Sequence, residues 1–253
     1  MNKICFVLDT HYPNYTKRLK TTSLKDYFEY GLDEMGVGFI ITTNRPYDFD
    51  DYKEKGVYVY DINKIRNEIS LKYEILPDDP TGIYPSRFPW NLERFGLKIA
   101  GELGYNIVIN LDSDVIFNTK NDAINFIKII NNLYQKNTVI TNQAIFRYEK
   151  NSLNEIFHLH DKYKEHFNLD FEDYKFNSLD GPVIIYMGNT SNDILDFFKT
   201  WDSLVEFGYK KDFGFGYENI VCGNWSLTIP ISNFELKWCE LPFTPHHKYE
   251  DRY

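Results

Sequence analysis

Two aspartates, Asp112 and Asp114, end an apolar run and are the residues whose type and spacing best suit chemistry. The run before them, residues 107–111, has the composition of a strand buried on both faces. Side chains two apart in a strand project to one side, so these carboxylates can share one hard divalent cation that accepts diphosphate oxygens. An Asx-turn that only ends the strand is the simpler alternative. Because α/β proteins bind ligands at the carboxyl ends of their strands, we favour the metal site.

The rest of the chain must position this pair, and its hydrophobic pattern alternates between strand and helix periods. Strands are predicted at residues 4–8, 37–42, 57–60, 107–111, 138–141 and 183–187. Helices are predicted at residues 22–35, 89–103, 123–133, 153–167 and 191–207, the last with Ser191 as N-cap. An exposed loop is predicted at residues 77–82, and the aromatic tail from 234 to 253, which shows neither period, predicts a flap. This alternation predicts an α/β fold, a single Rossmann-like domain with a mostly parallel central sheet flanked by helices.

Composition restricts the class of protein. The 253 residues are 43% hydrophobic and 17% aromatic, which suffices for a substantial core in one domain. The net charge of −9 opposes strong non-specific binding to nucleic acid, although it leaves room for a local basic groove. Three widely spaced cysteines imply neither a disulfide framework nor a zinc site. Without a long apolar run or a signal-peptide pattern, we expect a cytoplasmic protein without membrane insertion; the oligomeric state stays open.

Several segments together resemble the GT-A fold glycosyltransferases. These are a first strand that ends in Asp9, an arginine-bearing helix at 91–103, the Asp112-Ser113-Asp114 motif, and the glycine- and aromatic-rich segment 213–219. The resemblance implies a GT-A-like domain in which the Asp-x-Asp motif holds Mn²⁺ or Mg²⁺ on the diphosphate of a nucleotide sugar, with a UDP-sugar expected. It also implies a nucleotide-sugar-binding half at 1–118 and an acceptor half with the C-terminal flap at 119–253.

The third metal ligand in many such enzymes is a histidine near the C terminus. Here the resemblance implies His246 or His247, with His247 preferred, while the neighbouring Lys248 is placed near phosphate. The alternative is an exposed polar pair in a loose tail. Asp112 and Asp114 would complete the metal site.

The base that deprotonates the acceptor is expected to be Glu218 or Asp180. Glu218 follows two glycines, Gly214 and Gly216, that permit close backbone approach to a ligand. Asp180 precedes a predicted strand in a tight turn. For Glu218 the alternatives are binding of donor-sugar hydroxyls and capping of a helix; for Asp180 the alternative is a turn-forming role. Asn219 stands where the inverting galactosyl-type motif has Asp, so the resemblance leaves inversion and retention both open.

Donor-binding residues are expected near the ends of the first strands and on the helix before the motif. The resemblance places base and ribose at the end of the first strand. Arg94 and Lys98, one turn apart on the helix, are expected to pair with diphosphate or with Asp112. A plain turn after the second strand and a solvated helix face are the alternatives. The candidate donor-binding residues are Asp9, Thr10, Asn44, Arg45, Arg94, Lys98, Ser113 and Lys248.

The function that this pattern implies is transfer of a sugar from a nucleoside diphosphate to a hydroxyl group. The acceptor is either a glycan or a hydroxymethylated cytosine of viral DNA, since a composition rich in Asn, Lys, Tyr and Phe suggests a bacteriophage product in the host cytoplasm. One alternative is a sugar nucleotidyltransferase, although the glycine-rich phosphate loop expected of it is absent from residues 9–14. The other is a non-catalytic sugar- or nucleotide-binding protein of the same fold.

Overall fold

The structure of the chain is a computed structural model. It describes residues 2–10, 13–62, 64, 92–111, 117, 119–133, 137–141, 146–148, 176–178, 183–210 and 234–238.

A seven-stranded sheet forms the centre of the described part of the chain. Its strands are β1 (Ile4–Thr10), β2 (Gly38–Thr43), β3 (Tyr58–Asp61), β4 (Ile107–Leu111), β5 (Thr138–Thr141), β8 (Val183–Met187) and β9 (Glu235–Trp238). They lie in the order β3-β2-β1-β4-β8-β5-β9. Neighbouring strands pair in parallel except where β8 pairs with β4 and with β5. A separate antiparallel pair is formed by β6 (Phe146–Tyr148) and β7 (Phe176–Ser178).

Helices connect and cover these strands. They are α1 (Pro13–Thr21), α2 (Ser23–Glu29), α3 (Asp50–Lys53), α4 (Leu92–Glu102), α5 (Lys120–Leu133) and α6 (Ser191–Lys210), with a 3₁₀ turn at Pro46–Phe49 before α3. The predicted fold class, α/β with a mostly parallel central sheet flanked by helices, is confirmed. In the described part of the chain, no helix is long and apolar enough to span a bilayer.

Side-chain alternation gives the sheet two buried faces. The first carries one alternating set from the central strands, including Phe6, Ile109 and Ile185, and packs against apolar residues of α2 and α5. The second carries the other set and is covered by α4 and α6. Gly96 of α4 lies so close to β1 that an added Cβ would collide with Val7, and Phe197 of α6 packs on Tyr186 of β8 with ring centroids 5.2 Å apart. Both faces of β4 are therefore buried, as its apolar sequence predicts.

Every predicted strand is found, within a few residues of its predicted bounds. The predicted helices at 89–103, 123–133 and 191–207 correspond to α4, α5 and α6. The predicted loop at 77–82 and helix at 153–167 lie outside the described residues.

Some predictions of local structure were wrong. The helix predicted at 22–35 ends at Glu29, because Gly31 adopts a left-handed backbone with φ of 71° and terminates it. Residues 235–238 of the predicted flap form β9, which pairs with β5. The N-cap of α6 is Thr190, not Ser191, because the Thr190 hydroxyl accepts from the Asp193 N–H while the Asp193 carboxylate accepts from the Thr190 N–H and hydroxyl.

Candidate functional site

The order of the strands creates a topological switch point between β1 and β4. From β1 the chain proceeds outward to β2 and β3, and then returns to place β4 on the other side of β1. In open α/β sheets, ligands bind in the crevice outside the carboxyl ends of the two strands at such a point. Thr10 ends β1 and Leu111 ends β4. The candidate site is therefore this carboxyl edge, where Asp112 follows Leu111 in the sequence.

Asp9 and Thr10 lie at this edge, as the sequence predicts. Asp9 is half-buried and pairs in register with Thr42 of β2, so both side chains lie on the second face of the sheet. Thr10 is buried, and its hydroxyl forms a hydrogen bond of 3.2 Å with the hydroxyl of Thr16 on α1. That bond ties the start of α1 to the end of β1. It leaves Asp9 as the more accessible of the two predicted donor-binding residues.

Polar side chains without partners surround the switch point. Within the described part of the chain, three buried side-chain oxygens have no hydrogen-bond partner: Thr42 Oγ1, Asn44 Oδ1 and Asn110 Oδ1. Thr42 is completely buried, and Asn110 pairs with Val7 of β1 on the same face. An unpaired buried polar atom costs free energy, so its presence requires an explanation such as a water, an ion or a ligand. Thr42 lies on β2, Asn44 just after β2, and Asn110 on β4. Because β2 and β4 are the two neighbours of β1, the unpaired oxygens lie on both sides of β1.

Arg45 is held locally after β2. Its Nε donates to Asp48 Oδ2 at 2.8 Å, and its guanidinium lies over the exposed ring of Tyr47, 5.4 Å from the centroid. The Arg45 backbone N–H donates to the Thr43 hydroxyl. Asn44 Oδ1, by contrast, has no hydrogen-bond partner. The predicted donor-binding roles of Asn44 and Arg45 both stay predictions.

Lys98 lies on α4 and pairs with Glu102 one turn later, with Nζ and Oε1 2.6 Å apart. The pair is partly exposed, which makes it a weak contribution to stability. Its predicted contact with diphosphate or with Asp112 stays a prediction. Arg94 also belongs to α4, but its side chain is not among those that the structure describes.

The remaining predicted site residues lie outside the described residues. These are Asp112, Ser113, Asp114, Asp180, Glu218, His246, His247 and Lys248. In the described portion alone, no group of three or more His, Cys, Asp or Glu side chains forms a metal site. The predicted roles in metal binding and catalysis stay predictions.

Asp26 of α2 is a buried carboxylate that binds the backbone of Phe117, a residue that follows the Asp112–Asp114 motif in the sequence. Asp26 Oδ2 accepts a hydrogen bond of 3.0 Å from the backbone N–H of Phe117. Burial raises the pKa of Asp26 above the ordinary aspartate value; the bond from Phe117 and the charge of Lys25 lower it, and the charge of Glu29 raises it further. Sequence reasoning missed Asp26, Thr42 and Asn110. Of these three, only Asn110 could have been noticed in the sequence, because it is a polar residue inside an apolar run.

The edge combines features that suit a polar, anionic ligand with a hard cation. Unpaired hydroxyl and amide oxygens are present at Thr42, Asn44 and Asn110, and the carboxylates of the Asp112–Asp114 motif follow β4 directly in the sequence. All are hard oxygen donors, which prefer Mg²⁺ or Mn²⁺ to softer metals. The donor set therefore fits the divalent cation that the motif implies.

Comparison with known proteins gives structural similarity without sequence similarity. No protein-family model matches the chain, and no curated protein matches it. A 4-diphosphocytidyl-2C-methyl-D-erythritol synthase from Anaerococcus prevotii DSM 20548 is 10% identical, with a TM-score of 0.41 over 99% of this chain and 94% of that chain. A CMP:2-keto-3-deoxy-manno-octonic acid synthetase complexed with CTP is 11% identical, with a TM-score of 0.40 over 94% and 90%.

A third structure, a mannose-1-phosphate geranyltransferase from Thermus thermophilus, is 11% identical, with a TM-score of 0.43 over 97% of this chain and 76% of that chain. At this level the similarities carry no argument about activity. The functional assignment rests on the switch point and the side chains around it.

Proposed function

We propose that the protein is a divalent-cation-dependent enzyme that binds a nucleoside-diphosphate sugar at the carboxyl edge of β1, β2 and β4 and transfers the sugar to a hydroxyl acceptor. The observation that carries the proposal is the topological switch point between β1 and β4, beside which the oxygens of Thr42, Asn44 and Asn110 have no hydrogen-bond partner. Such oxygens accept hydrogen bonds from the hydroxyl and amino groups of a nucleoside. Their free-energy cost is offset when a ligand pairs with them.

Asp112 and Asp114 are the residues that would hold the cation, with His246 or His247 as a third ligand. When bound, a divalent cation stabilises the negative charge that develops on a departing nucleoside diphosphate. Asp9 would contribute to ribose binding, since it lies at the carboxyl end of β1 in register with Thr42 of β2. Lys248, Arg94 and Lys98 would neutralise diphosphate oxygens.

Glu218 or Asp180 would accept the proton of the acceptor hydroxyl. General-base catalysis of this kind contributes roughly a hundredfold or more to the rate. The acceptor is a glycan or a hydroxymethylated cytosine in DNA. The net charge of −9 favours the uncharged glycan, because DNA is a polyanion that the protein as a whole repels.

A sugar nucleotidyltransferase is the second candidate. It would use the same edge and the same cation to join a nucleoside triphosphate to a sugar phosphate with release of pyrophosphate. One of the solved structures named above is a synthetase in complex with CTP, but its TM-score of 0.40 carries no argument about activity. The weakness of this candidate is the missing glycine-rich phosphate loop between β1 and α1.

The first test is calorimetric titration of the protein with UDP, CDP, GDP and CTP, each with and without Mn²⁺. We expect Mn²⁺-dependent binding that is lost in the Asp112→Asn, Asp114→Asn double variant. The matched control is Asp50→Asn, Asp51→Asn, which removes the same charge from two adjacent exposed aspartates at the start of α3. The control should bind as the wild type does. Silence with UDP, CDP, GDP and CTP alike would overturn a nucleotide-dependent function.

Product analysis then separates the two candidates. Release of UDP from a UDP-sugar when a glycan or hydroxymethylated DNA is added would support glycosyl transfer. Release of pyrophosphate from CTP or UTP with a sugar 1-phosphate would support nucleotidyl transfer instead and would displace the main proposal.

A further inference from the structure

One large aromatic side chain is exposed beside the carboxyl edge of the sheet. Tyr47 is 61% exposed, more than any other large hydrophobic side chain that the structure describes. It lies in the 3₁₀ turn Pro46–Phe49, shortly after Thr43, the last residue of β2. Single exposed apolar residues are common, so exposure alone implies no function. Tyr47 differs from an ordinary surface residue because its turn and its ring are both held in place.

The turn that carries Tyr47 is anchored at several points. Phe49 is completely buried in the hydrophobic core. Lys20 of α1 donates from Nζ to the carbonyl oxygen of Asp48. The Asp48 N–H donates to the Arg45 carbonyl oxygen at 3.1 Å. A side chain on an anchored turn loses little conformational freedom when a ligand binds, which favours binding.

One face of the Tyr47 ring is covered and the other is open. The Arg45 guanidinium lies over the ring, 5.4 Å from its centroid, and Arg45 Nε donates to Asp48 Oδ2 at 2.8 Å. With 61% of Tyr47 exposed, the face opposite Arg45 is open to solvent. The structure therefore presents a flat aromatic surface whose covering arginine is paired with an aspartate. Such a surface suits stacking of a flat, uncharged ring.

The same turn borders the candidate site. Helix α1 is bonded to the end of β1 through the Thr10 and Thr16 hydroxyls, and to the turn through Lys20. Asn44, which directly follows β2, has an Oδ1 atom without a hydrogen-bond partner. Proteins recognise nucleobases by stacking an aromatic ring on the flat face and placing polar groups at the edge of the base. Tyr47 and Asn44, three positions apart, supply these two kinds of group.

We propose that Tyr47 is the stacking platform for the base of the donor nucleotide, with the Asn44 amide at the edge of that base. The inference rests on the proposed function, since it assumes that a nucleotide binds at the carboxyl edge of the sheet. It adds a binding residue that the sequence pattern does not single out. It assigns Tyr47 to the base and not to the diphosphate, because Asp48 neutralises the charge of the Arg45 guanidinium behind the ring.

The test measures the binding of UDP and of pyrophosphate, each with Mn²⁺, by calorimetry. UDP carries both base and diphosphate, whereas pyrophosphate carries no base. Tyr47→Leu removes the aromatic face but keeps an apolar side chain, and Tyr47→Phe keeps the ring. The matched control is Tyr58→Leu, which removes another exposed tyrosine, at the start of β3 and hence at the opposite edge of the sheet.

The expected effect is confined to the ligand that has a base. Tyr47→Leu should weaken UDP binding by about tenfold, as loss of one base–aromatic stack does, and should leave pyrophosphate binding unchanged. Tyr47→Phe and Tyr58→Leu should bind UDP as the wild type does.

Proton NMR of UDP, with Mg²⁺ as the diamagnetic cation, gives a direct sign of stacking. Protons above an aromatic ring are shielded, so the uracil H5 and H6 signals should move upfield with the wild type and with Tyr47→Phe. They should move less with Tyr47→Leu. Where pyrophosphate binds too weakly to measure, these shifts decide.

The outcomes separate this inference from the proposed function. If the wild type binds UDP and Tyr47→Leu binds it equally tightly, the stacking role is wrong and the proposed function stands. Equal weakening of UDP and pyrophosphate in Tyr47→Leu would show that Tyr47 maintains the site as a whole, which also overturns the stacking role. An unchanged UDP affinity with a raised KM for a glycan acceptor would assign Tyr47 to the acceptor instead. If the wild type binds no nucleotide, both proposals are overturned.

Discussion

At the scale of single residues, the adjacent threonines at the end of β2 offer a direct test of the unpaired oxygens. Thr42 and Thr43 are both completely buried, but the Thr43 hydroxyl accepts from the Arg45 N–H at 3.0 Å while the Thr42 hydroxyl has no partner. Valine has nearly the same shape as threonine and suits a strand. We expect Thr42→Val to leave the free protein as stable as the wild type or to stabilise it by up to about 2 kcal/mol, because it removes an unpaired buried polar group.

The substitution at the neighbouring threonine should change the free energy of unfolding in the opposite direction. Thr43→Val removes the acceptor of the Arg45 N–H and should destabilise the protein by about 1 kcal/mol. Urea unfolding of both variants without ligand measures the two free energies. Nucleotide titration of the same variants should show weaker binding for Thr42→Val. A Thr42→Val protein that is less stable than Thr43→Val would contradict the idea that this hydroxyl is kept for a ligand.

Sequence reasoning reaches some of these residues and not others. The pattern predicts Asp9, Thr10 and Asn44 at the ends of β1 and β2, and they lie there. Asp26 is not predictable, since its partner Phe117 is 91 positions away and a lone aspartate in an amphipathic helix resembles a solvated one. The sequence does not show that the Thr42 hydroxyl is unpaired either, because this depends on which donors and acceptors the neighbouring strands and helices bring near it.

At the scale of elements, the contact between α4 and β1 holds α4 on the second face of the sheet. This is the helix that precedes β4 and the Asp112–Asp114 motif. Gly96 permits it, because any Cβ there would collide with Cγ1 of the buried Val7. In an unconstrained helix, Gly→Ala stabilises by roughly 0.5–1 kcal/mol. We expect Gly96→Ala instead to destabilise the protein by about 1–3 kcal/mol, because overpacking forces the helix from the sheet.

A double-mutant cycle checks the cause. Val7→Ala removes the colliding methyl group at its own cost, so the Gly96→Ala, Val7→Ala double variant should be less destabilised than the sum of the single changes. Chemical denaturation at constant pH gives the three free energies. Strict additivity would show that Gly96 matters for some reason other than its contact with β1.

Elements with a clear hydrophobic period are the predictable ones. The strands β1, β2, β4 and β8 are apolar runs. The helices α4, α5 and α6 carry long amphipathic patterns with a helical period, which strands and loops do not show. Shorter helices are harder to find. The residues of α1 are largely polar and resemble a solvated basic cluster, and the left-handed Gly31 that ends α2 lies inside an apolar pattern that continues past it.

At the scale of the whole molecule, strand order is the feature that periodicity does not encode. Alternating strands and helices predict a parallel sheet, but not that β8 enters in reverse between β4 and β5, nor that a short segment near the C terminus becomes the edge strand β9. Strand order depends on which strands and helices pack together in space, and the hydrophobic period of a single segment does not specify this. The switch point that defines the candidate site follows from that order, so it became visible only in the structure.

Because the proposed site joins three central strands of this sheet, ligand binding should stabilise the whole fold. A ligand that binds only the native state stabilises it by about 2.7 kcal/mol at a hundred times its dissociation constant. We expect the thermal midpoint to rise with UDP or CTP in the presence of Mn²⁺, and the rise to disappear when a chelator removes the cation. Scanning calorimetry measures it, with adenosine as an uncharged control that lacks the diphosphate. An unchanged midpoint at saturating nucleotide and Mn²⁺ would show that the edge of β1, β2 and β4 does not take this ligand, and the unpaired oxygens there would need another explanation.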